Sequence, residues 1–330
     1  MNNSVAIVVE WENVLLCEKD RCLRMLAEIK DQINELKEVS LKDNFFGTFS
    51  FPLKVYFVFD ELAVAREVVE QQVGSVIKDG PLLRLFFCPA RNKRYYELKN
   101  LGGKMAEAAT IVFLDSDVIP QPHWLQNLLT AFRDPKVEVV GGNAFIEPVN
   151  LYAKAFALGW FFPLKAKEAC LEPARHFFAN NVAFKKEIFL RFPFPEELRS
   201  TRGSCSRLAK ILNDRHIGFY KNFGAQVSHP APNGVFHFFV RGLAEGRDQM
   251  MPLILEYRRK AWILKQVFCR FFRNLSKSFV CVYRQRKEVN LGLPAVPLAI
   301  FILWIYYTMY FFGEILTFVA PARMAKIWQI

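Results

Sequence analysis

Ile111-Val112-Phe113-Leu114 runs without a break into Asp115-Ser116-Asp117, and that transition constrains the fold more than any other stretch. Four consecutive apolar residues read as a strand covered on both faces, so the acids sit where a buried strand emerges at its carboxyl end. In open α/β sheets that end is where ligands bind. Residues i and i+2 of a strand face the same side, which puts Asp115 and Asp117 together and turns Ser116 away. Two carboxylates on one side suit Mg2+ or Mn2+ carrying a substrate's phosphates. The same Asp-x-Asp also fits an ordinary acidic turn.

Other apolar runs end in the same way. Residues 4–9 read as a buried strand running into Glu10-Trp11-Glu12-Asn13, and residues 53–59 as a second one closing on Asp60-Glu61. Further strands are expected at 82–87, 137–140, 180–184 and 218–227, the last ending at Ser228-His229-Pro230. Apolar residues at helical spacing place helices over 19–39, 63–77, 95–109, 123–132 and 204–214. This alternation calls for a mostly parallel sheet with right-handed crossovers. Residues 141–178 lack a regular period and are rich in aromatics, and they read as an irregular binding or lid region.

The net charge of +12 is concentrated. Residues 257–287 hold ten basic side chains and no acidic one, interleaved with Trp262, Phe268, Phe271, Phe272 and Phe279, which describes a basic amphipathic helix for an anionic membrane surface. Residues 291–313 then carry no charge over 23 positions, enough to cross a hydrocarbon core of about 30 Å. The excess of Lys and Arg ahead of that stretch puts the amino-terminal side in the cytoplasm. Seven cysteines without Cys-x-x-Cys spacing argue for a reducing compartment and against a disulfide framework or a zinc site. The first ten residues lack the basic region of a secretory signal. A nucleic-acid binder would carry this charge on the folded domain, which excludes that class.

Taken in order, these features resemble a family 2 nucleotide-sugar glycosyltransferase of GT-A fold. The resemblance runs from about residue 4 to 229. It rests on the opening strand with its Asn13 turn, the strand ending in Asp60, Lys99-Asn100-x-Gly102 at a helix start, Phe113 to Asp117 followed by Pro120 and Trp124-Leu125, the strand and helix from Asn181 to Phe189, and Val227-Ser228-His229-Pro230. It implies an α/β, Rossmann-like sheet flanked by helices, followed by the amphipathic helix and a carboxyl-terminal membrane span. Asp60, Lys99 and Asp115 would contact the donor nucleotide, and Glu10, this chain's own extra carboxylate at the end of the first strand, would lie near it. Asp115, Asp117 and His229 would hold Mn2+ or Mg2+. Arg241 and Arg247 are possible phosphate contacts, with ordinary surface charge as their alternative.

Two departures matter. Glu10-Trp11 stands where many relatives have Pro-Thr. The acceptor half lacks the Gly-Glu-Asp whose Asp is the catalytic base, its best match being Arg202-Gly203-Ser204-Cys205. Glu172, Glu168 and Asp248 are the remaining candidate acids, since an inverting transfer needs a base near the acceptor hydroxyl. The expected organisation is a catalytic domain over 1–250 (donor half 1–140, acceptor half 141–250), an interfacial helix over 251–288, a span over 289–320 and a tail over 321–330. The expected partners are a nucleoside-diphosphate sugar, a lipid-linked or glycan acceptor and anionic membrane lipids. The rival readings are a non-catalytic relative that binds a nucleotide sugar or a partner protein, and a nucleotidyltransferase, which should show a glycine-rich loop where Glu10-Trp11-Glu12-Asn13 has none.

Overall fold

In the computed structural model, residues 4–42, 49–196, 203–257, 259–324 and 326–327 are described. Arg202 lies outside them. The chain divides into two compact units, one formed by Met1–Ala144, Lys165–Glu197 and Ser204–His229, the other by Phe145–Leu164, Leu198–Gly203 and Pro230–Ile330.

The first unit contains β1 (Ser4–Glu10), α1 (Lys19–Lys42), β2 (Ser50–Asp60), α2 (Arg66–Gly74), β3 (Leu83–Ala90), α3 (Tyr95–Met105), β4 (Thr110–Asp115), β5 (Ile119–Pro120) and α4 (Trp124–Thr130). β6 (Val139–Ile146) ends at the boundary and leads into α5 (Leu151–Gly159) of the second unit. The first unit resumes with β7 (Leu171–Pro173), β8 (Asn181–Lys185), α6 (Lys186–Arg191), α7 (Ser204–Asp214) and β9 (Phe219–His229). Among the described residues the nine strands form one sheet in the order β3-β2-β1-β4-β8-β6-β9-β5, with β7 beside β9.

The sheet has two characters. β3, β2, β1 and β4 are parallel, whereas β8 runs antiparallel to both β4 and β6. The parallel part follows from its sequence. Ala6, Ile7, Val8 and Val9 are fully buried, as expected for strands with helices on both faces. α3 lies close on this part because Gly102 has no side chain: a Cβ there would stand 2.5 Å from Val8 Cγ1 and 2.8 Å from Val58 Cγ1. The antiparallel half is a finding that alternation of strand and helix could not supply, because α5 and the chain around it interrupt the crossover pattern.

Residues 141–178 are more regular than the expected lid. β6 continues to Ile146, and α5 follows with Asn150 as its cap, the Oδ1 accepting from the Ala153 N–H at 2.8 Å. Gly141-Gly142 reads as a break in sequence but continues the strand. A Cβ on Gly142 would sit 2.3 Å from the Ala225 carbonyl oxygen and as near the Asn181 amide, so the strand interior has no room for one.

The second unit is helical: α5, α8 (Gly234–Glu256), α9 (Lys260–Gln285) and α10 (Val296–Val319). Up to residue 250, α8 occupies a stretch for which no helix was expected, and it holds Gly242 and Gly246, which are poor helix formers. α9 is the basic amphipathic helix, and residues 251–256 belong to the end of α8. All seven cysteines are free thiols.

Candidate active site

Three adjacent parallel strands end in carboxylates. Asp60 closes β2, Glu10 closes β1 and Asp115 closes β4. Register sets them side by side, with Glu10 opposite Asp115 and the Ser116 N–H donating to the Glu10 carbonyl at 3.0 Å. All three are more than nine-tenths buried. Like charges crowded out of water push protonation upward. Burial raises the Glu10 carboxyl well above its ordinary range, with Asp115 and then Glu12 adding to it. Glu12 is pushed up to about 7, by burial first and then by Asp60.

Lys99 offsets this charge. Its ammonium lies 2.6 Å from Asp115 Oδ1 and is completely buried, over the Tyr95 ring. The Tyr95 hydroxyl donates to the same carboxylate at 2.9 Å, and Asn13 Nδ2 donates to Glu10 at 2.8 Å and to Asp115 at 3.2 Å. Burial pushes the Asp115 carboxyl up, Lys99 opposes that, and Asp117 adds to it. Asp60 is held by backbone, accepting from the Leu62 N–H at 3.0 Å and the Lys93 N–H at 3.1 Å.

Asp117, close enough to act on Asp115, has a different partner. β5 begins two residues later and pairs antiparallel with the end of β9, Ile119 opposite Ser228. That pairing brings His229 Nε2 to 3.7 Å from Asp117 Oδ2. Arg21 of α1 locks the arrangement from beneath: its Nε donates to the Asp117 carbonyl, and its Nη2 to the Ser228 carbonyl at 2.7 Å and the Ser228 hydroxyl at 3.1 Å. Tyr95 and Arg21 carry no sequence signal of a site, since their roles depend on partners 20 and 96 residues away.

The expected site residues therefore separate into groups. Glu10, Asp60, Lys99 and Asp115 come together at the strand ends, and Asp117 meets His229 beside them. Glu168 and Glu172 are exposed, Glu172 on β7 and near the Cys170 thiol. Asp248, Arg241 and Arg247 stand on α8 in the second unit. Arg247 is buried and bonds Asp248 Oδ1 at 2.8 Å and the Ile327 carbonyl, while Arg241 lies 3.5 Å from Glu245 and over the Trp160 ring. Among the described residues, no three His, Cys, Asp or Glu side chains are gathered closely enough to hold a metal alone. Asn100, beside Lys99, serves the loop before α7, pairing its amide with the Phe194 backbone at 2.8 and 3.0 Å and with Glu196 at 2.6 Å. Ser204, at the start of α7, donates its hydroxyl to the Pro195 carbonyl.

Among solved structures, the mannosyltransferase PcManGT from Pyrobaculum calidifontis, in complex with GDP-Man and Mn2+, matches over 97% of this chain and 88% of that one, with TM-score 0.50 and 14% identity. The fold is GT-A. GalNAc-T7, with UDP, GalNAc and Mn2+, matches over 69% of this chain and 43% of that one, with TM-score 0.47 and 10% identity. Residues 64–191 match the family described as Glycosyl transferase family 2. That segment of the GT-A sheet includes Lys99, Asp115 and Asp117 and leaves out Glu10, Asp60 and His229. No curated protein matches the chain.

Proposed function

We propose that the chain is a metal-dependent glycosyltransferase that takes a sugar from a nucleoside-diphosphate donor to a lipid-linked or glycan acceptor at the cytoplasmic face of a membrane. The observation that carries this reading is the row of carboxylates on β2, β1 and β4 beside the Asp117–His229 pair. Asp60, at the β2 end, offers acceptors to the N–H groups of a base. Asp115, fixed by Lys99 and Tyr95, offers acceptors to ribose hydroxyls. An oxygen and a nitrogen donor 3.7 Å apart fit one divalent cation, and a two-residue site suits an ion that completes its shell with water and substrate phosphate. Asp117 and His229 are the residues that would hold Mn2+ or Mg2+, with Asp115 as a further contact. When bound, the ion supplies charge stabilisation for the departing diphosphate.

Membrane placement rests on α10. The helical segment Leu293–Val319, which contains α10, is long and apolar enough to cross a bilayer, and only 28% of its most apolar part is buried in the protein. Phe301, Trp304, Phe312, Leu316 and Val319 face outward, and such a surface needs an apolar cover.

A second reading is favoured by one observation. α7 begins Ser204-Cys205-Ser206, without the acid that would activate an acceptor, which suits a protein that binds the donor and does not transfer it. The test uses the full chain in detergent with Mn2+ and a panel of nucleoside-diphosphate sugars, comparing wild type with Asp117→Asn. Metal-dependent transfer or donor hydrolysis that is lost in Asp117→Asn supports the enzyme. Donor binding without turnover supports the second reading, and no donor binding at all removes both.

A further inference from the structure

Within the second unit, the end of α8 and the first half of α9 border a half-open cavity of about 120 Å³ lined by Leu253, Trp262, Gln266, Cys269, Arg270 and Arg273. Its polar wall is rich in donors. Gln266 brings an amide NH2 and Trp262 an indole N–H, and neither hydrogen-bonds within the protein among the described residues. No carboxylate lines it.

The two arginines differ in a way that builds a site. Arg270 Nε lies 2.8 Å from Glu314 Oε1 on α10, and Glu314 is fully buried. A buried carboxylate holds its cation strongly, because the alternative is an uncompensated charge. Glu314 therefore stands close beside the Arg270 guanidinium, although the approach lacks hydrogen-bond geometry. Arg273 is exposed, lines the same cavity and has no ion pair among the described residues. The cavity thus carries two guanidinium groups, of which Arg273 is exposed and outside any ion pair among the described residues, and two neutral donors. Elsewhere on its surface α9 exposes Phe268 and Phe272.

We propose that this cavity binds a phosphate group, with Arg273 as its main cationic contact. Guanidinium matches tetrahedral oxyanions through paired N–H donors, and the neutral amide and indole donors add hydrogen bonds without a net charge. The exposed Phe268 and Phe272 of the same helix suit an apolar lipid environment, which makes a phospholipid headgroup one source of the phosphate, and inorganic phosphate is the other source of the same chemistry. The inference rests on the membrane part of the proposed function and is independent of its donor chemistry.

The experiment is native mass spectrometry of the full chain in a neutral detergent, with phosphatidic acid, a diacylglycerol of the same acyl chains, and inorganic phosphate. Wild type is compared with Arg273→Gln and with Lys277→Gln, an exposed basic residue of the same helix outside the cavity. Wild type is expected to retain phosphatidic acid over diacylglycerol. Arg273→Gln should lower its occupancy about tenfold, the loss of one charge-assisted hydrogen bond, with Lys277→Gln close to wild type. Displacement by inorganic phosphate assigns the site to the free ion, and retention of the lipid against it assigns the site to the headgroup. Equal losses in the two variants, or no preference for phosphatidic acid together with no binding of inorganic phosphate, overturn the proposal. Donor binding measured on the same samples separates the outcomes, since Arg273→Gln should leave it unchanged.

Discussion

The Lys99 ammonium lies 2.6 Å from Asp115 Oδ1, and both groups are shut away from water. Lys99 is thereby committed to the β4 terminus, and its charge makes a carboxylate tolerable where Glu10 and Asp117 are also near. Removing one partner of a buried pair leaves the other uncompensated, at a cost of about 3–5 kcal/mol. Lys99→Met should therefore lower the stability of the first unit by that amount in denaturant titration. Lys99→Met combined with Asp115→Asn should recover part of the loss, because the two sites share one interaction. Additive losses would mean that the pair is not coupled.

The acids at the strand ends set a pH dependence. Glu12 has an ordinary value of 4.5 and is pushed up to about 7 in the fold, first by burial and then by Asp60. Between those values the folded state holds a proton that the unfolded chain has released, so stability falls as pH rises across the window. Below it both states are protonated and Glu12 contributes nothing. Above it both are ionised and the full penalty applies. Glu12→Gln removes the titrating group, so its melting temperature should fall less than that of wild type between about pH 5 and pH 7.5. Glu10, raised by burial in the same direction, leaves part of the slope in the variant.

The parallel half of this architecture was legible because three of its four strands, β1, β2 and β4, are apolar runs that stop at an acid, and both features are local. Asp60, Glu10 and Asp115 could be placed at strand ends for that reason. Lys99 was expected to meet the nucleotide, and its ion pair with Asp115 across 16 positions has no local signature. α8 was hidden by its own packing. Gly242 and Gly246 are poor helix formers, and Glu245, Arg247 and Asp248 look solvent-exposed in sequence, yet all three charges are buried and partnered within the second unit. Local propensity lost to tertiary contact there, as it did at Gly141-Gly142 in β6.

Arg21 provides a test of the cation reading that does not touch a ligand. Its guanidinium joins the Asp117 carbonyl to Ser228, next to His229, so it fixes the two donors relative to each other. Loss of such supporting contacts typically weakens a metal site by about 10–100-fold. Arg21→Gln should therefore weaken Mn2+ binding by that order in a calorimetric titration, and Arg21→Lys by less. A variant that melts lower but binds Mn2+ as wild type does would limit Arg21 to the fold.

The seat of α10 on α8 depends on three glycines. A Cβ on Gly246 would stand 2.0 Å from the Tyr310 carbonyl oxygen and 2.8 Å from the Glu314 nitrogen; one on Gly313 would stand 2.1 Å from the Leu243 carbonyl oxygen; one on Gly242 would stand 2.9 Å from Met309 Cβ. Gly242 and Gly246 are four apart and share one face of α8, the small-residue spacing that lets helix backbones approach where water gives no hydrophobic drive. The obstacles to a methyl group at 246 are backbone atoms, which cannot rotate away, so the helices themselves must separate. Forced expansion of a packed contact costs about 1–3 kcal/mol. Gly246→Ala should lower the melting temperature of the second unit in detergent, and Gly246→Leu should lower it further and open the α8 and α10 backbones to limited proteolysis. The separation would also strain the seat of Glu314, adjacent to Gly313, against Arg270. A Gly246→Ala protein that melts and resists protease like wild type would show that the two helices do not require this close approach.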